Sequence, residues 1–166
     1  FFFYALFVSF FPQLVAGPIE KASHLLPQLK KNFDFSYDRA RDGLQLIIWG
    51  MFKKVVIANR LAIYVDMVYN NIESFGPIEL AMASVMFAFQ IYCDFSGYSD
   101  IAIGIAHIMG YNLMRNFNRP YFARSIGDFW HRWHISLSTW FQQYLYIPLG
   151  GNRVPVPRHY FNLFFT

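Results

Sequence analysis

Charge and cysteine are what this chain has least of. Only 14% of its 166 residues are charged, whereas a soluble domain carries about a quarter because its surface must stay wet. The single Cys93 excludes an internal disulfide framework and a cysteine-based zinc cage; it reads as a small apolar residue in a helix. No Gly-rich phosphate loop or other cofactor motif stands in the sequence, nor does an internal repeat or a low-complexity linker. The chain opens on Phe1-Phe2-Phe3, with no initiator Met and no basic stretch before the apolar run. That opening, like the closing run Phe161 to Thr166, reads as part of a membrane segment rather than a signal peptide.

What is present is apolar and aromatic. Hydrophobic residues make up 55% of the chain, with twenty Phe and eleven Tyr, more than one small water-facing core can hide. The surplus implies an exterior that faces lipid; together with the apolar spans and the resemblance described below, the expected class is an all-α, polytopic membrane helical bundle with broken and interfacial helices. The net charge of +4 does not point to nucleic acid, because the basic residues are scattered between apolar spans like those of membrane-side loops.

Apolar stretches at 1–16, 43–64 and 77–110 alternate with polar ones at 17–42, 66–76 and 111–132. Gly17-Pro18 is expected to end the first helix. A helix needs about 20 residues to cross the hydrocarbon core. Basic loops stay cytoplasmic, so 17–42 and 111–132 are expected on that side. The 66–76 loop, without a single Lys or Arg, is expected opposite. One long, tilted or broken helix at 77–110 satisfies this topology. Lys53-Lys54 resists the scheme, since a charge at membrane depth costs roughly 3 kcal/mol. Either the segment is amphipathic with its lysines snorkelling, or its basic stripe faces a protein-lined cavity.

Two polar constellations interrupt the apolar runs. The first is Gln90-Ile91-Tyr92-Cys93-Asp94-Phe95-Ser96-Gly97-Tyr98-Ser99-Asp100. Asp94 with Ser96-Gly97 is placed to break the helix, with Ser99 or Asp100 capping its continuation. Irregular backbone at this depth must be buried in protein or line water. The run therefore either lines a polar pocket, with Asp94, Ser96, Tyr98 and Asp100 as substrate-binding candidates, or only caps helices and pairs with arginines. The second is Phe129 to Trp140. Read as one helix, it puts His131, His134 and Ser138 at i, i+3 and i+7 on a common face, with Trp130, Trp133, Leu137 and Trp140 along a partly different one. A neutral histidine has the pKa to take a proton from an alcohol near pH 7. Spacing alone leaves catalysis, a structural role and metal binding open, although the histidine pair lacks a third ligand nearby for zinc.

Three stretches together carry a family likeness. They are Arg115-Asn116-Phe117-Asn118-Arg119-Pro120-Tyr121-Phe122, then Phe129 to Trp140, then Tyr144-Leu145-Tyr146-Ile147-Pro148-Leu149-Gly150-Gly151-Asn152-Arg153. They closely resemble the membrane-bound O-acyltransferase family, in its alginate O-acetylation branch with the peptidoglycan O-acetylases. The run from Tyr92 to Gly104 and that from Gln13 to Glu20 resemble the same branch. The likeness makes residues 1–166 an internal fragment of one membrane domain.

The resemblance implies a multi-pass protein of the cell inner membrane, surrounded by lipid. Its acyl donor, acetyl-CoA or an acylated carrier, comes from the cytoplasmic side, and its acceptor is a hydroxyl of an extracytoplasmic polysaccharide such as alginate. Periplasmic acetylation partners would assist; no bound cofactor or metal is implied. The histidine of the Arg-Trp-His-Ile-Ser run is the family's active-site base and corresponds to His134, with Arg132, Trp133 and Ser138 as substrate-binding candidates. A second family histidine lies in a later helix, and His159 does not match it, so residues 1–166 are not expected to be active alone. His131 and Gln142-Gln143 depart from the branch, which commonly has a basic or polar residue and an Arg-Asp pair there. A transporter that hands acyl groups to a separate transferase, D-alanyl transfer to teichoic acid, and an intramembrane zinc hydrolase are the competing readings.

Overall fold

The computed structural model describes residues 1–14 and 17–166, and every regular element among them is helical. They form two compact units, Phe1–Gly17 with Lys21–Leu113, and Pro18–Glu20 with Met114–Thr166.

In the first unit, α1 (Phe2–Val8) ends sooner than expected, followed by a 3-10 turn at Phe11–Gln13. Pro12 has no N–H to continue the ladder, and its ring would clash with the carbonyl four residues back. Val15 and Ala16, part of the expected helix and of the Gln13–Glu20 motif, lie outside the described residues. Helix α2 (Ala22–Leu29) buries Leu25 and Leu29 against Phe10, Ala106 and Leu113.

Helix α3 (Tyr37–Met51) starts at Ser36, whose hydroxyl accepts the Arg39 N–H. It runs without interruption through a π-helical stretch, Phe52–Ala58, into α4 (Asn59–Tyr69). After a 3-10 turn at Ile72–Ser74, α5 (Pro77–Ile108) opens with proline at its first position. At 32 residues, α5 is the one helix among the described residues long and apolar enough to cross a membrane.

The expected break at Asp94–Gly97 does not occur; α5 is continuous through it. Its polar groups are satisfied from outside the helix. Lys53 Nζ lies 2.7 Å from Asp100 Oδ2 and donates to Ser96 Oγ at 3.0 Å, while Lys54 pairs with Asp94. The two lysines that looked misplaced in an apolar span therefore serve α5, and Lys53 is only 8% exposed. The wider π turn, with its i→i+5 bonds, separates successive residues by a smaller angle than an α turn. Adjacent lysines can thus address the same neighbouring helix.

Glycines let these helices approach closely enough for that pairing. A Cβ built on Gly50 would lie 2.5 Å from the Gly97 carbonyl, and one on Gly104 would lie 2.6 Å from the Gly43 carbonyl. The pairs recur seven residues apart on α3 and α5 in opposite directions, so the helices run antiparallel with backbones touching, as small residues permit in membrane bundles. Gly50→Ala is expected to destabilise by about 2 kcal/mol, read as a lower thermal midpoint of the full-length protein in detergent. Gly127→Ala, whose added carbon meets nothing closer than 3.9 Å, is expected to leave that midpoint unchanged.

In the second unit, the Glu20 carboxylate accepts the Met114 N–H. The chain then runs without helix to a left-handed Arg119 (φ +47°) and a 3-10 turn at Pro120–Phe122. Short α6 (Ile126–Trp130) is capped by Ser125, which accepts the Asp128 N–H at 3.1 Å. Next come α7 (Ile135–Phe141), a π-helical stretch at Gln142–Tyr146, and α8 (Val156–Phe165). Asn162 on α8 is fully buried and donates to the carbonyls of Leu149 and Gly151 at 3.1 and 3.2 Å. It holds the Pro148-Leu149-Gly150-Gly151 loop, where Gly150 (φ +102°) and Gly151 (φ +55°) supply the left-handed backbone.

Candidate active site

The expected single helix carrying His131, His134 and Ser138 is instead two. Helix α6 stops at Trp130, a turn follows, and His134 stands at the N-cap of α7 with φ +43° and ψ +53°. The interruption has its cause in backbone bonds to an earlier segment. The Ile135 N–H bonds the Asn116 carbonyl at 2.9 Å, and the Arg132 carbonyl accepts the Asn118 N–H at 2.9 Å. The segment at 114–119 thus takes two backbone groups that a continuous helix would bond internally. Left-handed backbone at a non-glycine residue costs roughly 1–2 kcal/mol. It is held here by these long-range bonds, at a residue with proton-transfer chemistry.

Around His134 the polar contacts converge on one atom. Asn116, 1% exposed, places its Oδ1 3.0 Å from His134 Nδ1. The same oxygen accepts the Ser136 hydroxyl at 2.8 Å and the Ser136 N–H at 3.4 Å. Ser136, also buried, accepts the Ile19 N–H at 3.0 Å on its Oγ. Half-buried His134 has its pKa pushed below the ordinary 6.5 by loss of solvent, partly offset by a backbone hydrogen bond. Burial disfavours the charged form, so the imidazole is neutral at pH 7 and able to accept a proton.

The other candidates divide between the two units. In the unit of His134, Arg132 Nε pairs with Asp128 at 2.7 Å, and with the Arg124 N–H it holds the Asp128 carboxyl below its ordinary range. Trp133 is wedged among aromatics, edge-on to Phe117 at 5.1 Å and stacked on Phe129 at 5.5 Å. Phe117 in turn lies 6.4 Å from the His134 ring. Ser138 donates to the Trp133 carbonyl at 3.4 Å, and His131 is exposed. Asp94, Ser96, Tyr98 and Asp100 all lie on α5 in the other unit, where Lys53 and Lys54 engage the two acids and Ser96. Asn116 is the residue that periodicity missed. Its one signal in the sequence was an amide inside the Arg115–Phe122 motif.

A neutral, half-buried histidine held by a buried amide defines a candidate proton-transfer site. The model of the MBOAT, membrane-bound O-acyltransferase, family matches residues 1–166, and the chain belongs to that family. It is 52% identical over 153 residues to a peptidoglycan O-acetyltransferase of Helicobacter pylori, covering 91% of this chain and 29% of that protein. It is 42% identical over 163 residues to a probable alginate O-acetylase AlgI of Pseudomonas aeruginosa, covering 98% of this chain and 31% of that one. A teichoic acid D-alanyltransferase of Bacillus subtilis is 30% identical over 143 residues, covering 85% and 36%. The chain spans about a third of the length of these relatives.

Proposed function

We propose that the chain forms part of a multi-pass inner-membrane O-acetyltransferase, in which His134 is the general base acting on a hydroxyl of an extracytoplasmic polysaccharide. The observation that carries this reading is His134 itself: neutral, half-buried, and held in a left-handed backbone by Asn116. In the reaction, the acceptor oxygen attacks the carbonyl of an acyl thioester as the imidazole takes its proton. The new C–O bond forms, the C–S bond breaks, and the proton passes to the departing thiolate. The donor is acetyl-CoA or an acylated carrier. Periplasmic acetylation partners and the surrounding lipid complete the assembly.

The relatives' names favour acetyl over D-alanyl transfer, because the O-acetylases share 52% and 42% identity and the D-alanyltransferase 30%. Deleting the gene is expected to remove mild-base-labile acetate from the peptidoglycan or the exopolysaccharide, with restoration by the full-length gene. Acetate unchanged in both polymers overturns the proposal, and loss of ester-linked D-alanine from teichoic acid instead installs the competing reading.

A further inference from the structure

We propose that Asn116 is a positioning residue that selects the tautomer of His134, so that Nε2 is the basic nitrogen presented to the acceptor hydroxyl. The proposal rests on His134 being the base and deepens that reading.

The network permits one assignment of the Asn116 amide. A backbone N–H can only donate, and the Ser136 N–H points at the Asn116 side-chain atom that also faces His134. Turning the amide over would set its NH2 against that N–H, donor to donor. The shared atom is therefore the oxygen, and the Ser136 hydroxyl agrees: its Oγ accepts from the Ile19 N–H, leaving its own proton to donate to Asn116. An amide oxygen cannot donate, so the His134 Nδ1 at 3.0 Å must carry the proton. The neutral ring then has its lone pair on Nε2. Which nitrogen of a histidine is basic is set by the hydrogen bond of the other, and here that partner is nearly inaccessible to solvent. The Asn116 backbone carbonyl also accepts the Ile135 N–H. One residue thereby sets the ring's tautomer and the start of the helix that carries it.

The test uses the full-length protein with 15N-labelled histidine in lipid, the His134 signal being assigned by its loss in His134→Asn. In the wild type at pH 7.5, Nδ1 is expected to be protonated and Nε2 bare. Asn116→Leu, close in volume but without an acceptor, is expected to release the ring to the opposite tautomer and to lower polymer acetylation about tenfold or more. Asn116→Asp keeps the acceptor and adds a charge. It is expected to retain the Nδ1–H form while raising the His134 titration midpoint by about one pH unit or more. A leucine variant that keeps the Nδ1–H form, or acetylates like wild type, overturns the proposal. If the leucine variant does not accumulate, an unmoved midpoint in Asn116→Asp does so. Normal acetylation in His134→Asn would instead overturn the role of His134 as base, whatever the tautomer.

Discussion

Replacing His134 by asparagine in the full-length protein is expected to lower polymer O-acetylation by roughly two to four orders of magnitude, the usual contribution of a positioned general base. Asparagine is the informative choice because it tolerates the left-handed backbone that His134 adopts. Its amide can still hydrogen-bond Asn116, so the start of α7 is kept and only the base is lost. His134→Ala is expected to lose as much activity and some stability besides, since alanine at φ +43° is strained. Membrane insertion should survive both, measured as protein recovered from the membrane fraction. Normal acetylation in the asparagine variant would remove His134 from the mechanism.

A pH dependence follows from the proposed role of the same residue. With His134 as the base, the neutral imidazole is the active form. Burial holds its pKa below the ordinary 6.5, so protonation requires a lower pH than for a solvated histidine. The midpoint of activity loss on acidification is therefore expected below pH 6.5. A decline centred above 6.5 would contradict the burial seen here.

The second large effect concerns stability. Asp100→Ala removes the carboxylate that faces the Lys53 ammonium inside the helix pair and leaves its hydrogen bond to the Ser96 hydroxyl. Removing one partner of a buried pair costs about 3–5 kcal/mol. Because the Asp100 side chain retains 24% exposure, the low end, about 3 kcal/mol, is expected. It would appear as a lower thermal midpoint and reduced recovery in detergent. Asp94→Ala offers a contrast: its pair with Lys54 has side chains 51% and 39% exposed, and exposed pairs contribute less than about 1 kcal/mol. Combining Lys53→Met with Asp100→Leu is expected to recover most of the loss, since well-packed apolar replacements of a buried pair are often neutral. A double variant no better than Asp100→Ala would show that the pair does more than neutralise itself.

These expectations trace back unevenly to the linear sequence. The helix at 77–110 was legible because an apolar run of that length has few other uses, and Lys53-Lys54 was legible as an anomaly because charge is costly at membrane depth. The solution to the anomaly was not legible. Asp94 and Ser96-Gly97 look like a helix break when judged by their neighbours in sequence. They cease to be one when two lysines some forty residues earlier meet them across Gly50 and Gly97. Periodicity failed at His134 for the same reason. The helical face joining His131 to Ser138 assumes that backbone groups bond within the run, and the 114–119 segment takes two of them.

By itself, then, the sequence determined the all-helical class, the membrane-length helix, the family, and the residue worth testing first. Those properties reside in composition, in periodicity and in contiguous motifs. The tertiary structure alone decided that α5 is unbroken, that Lys53 is buried against Asp100, and that His134 stands at the start of a helix rather than within one. The tautomer proposed for His134 rests on a contact of the same kind. Each of these depends on a hydrogen bond or ion pair between groups distant in the chain, brought within 3 Å or so by packing, and nothing local in the sequence records which distant groups will meet.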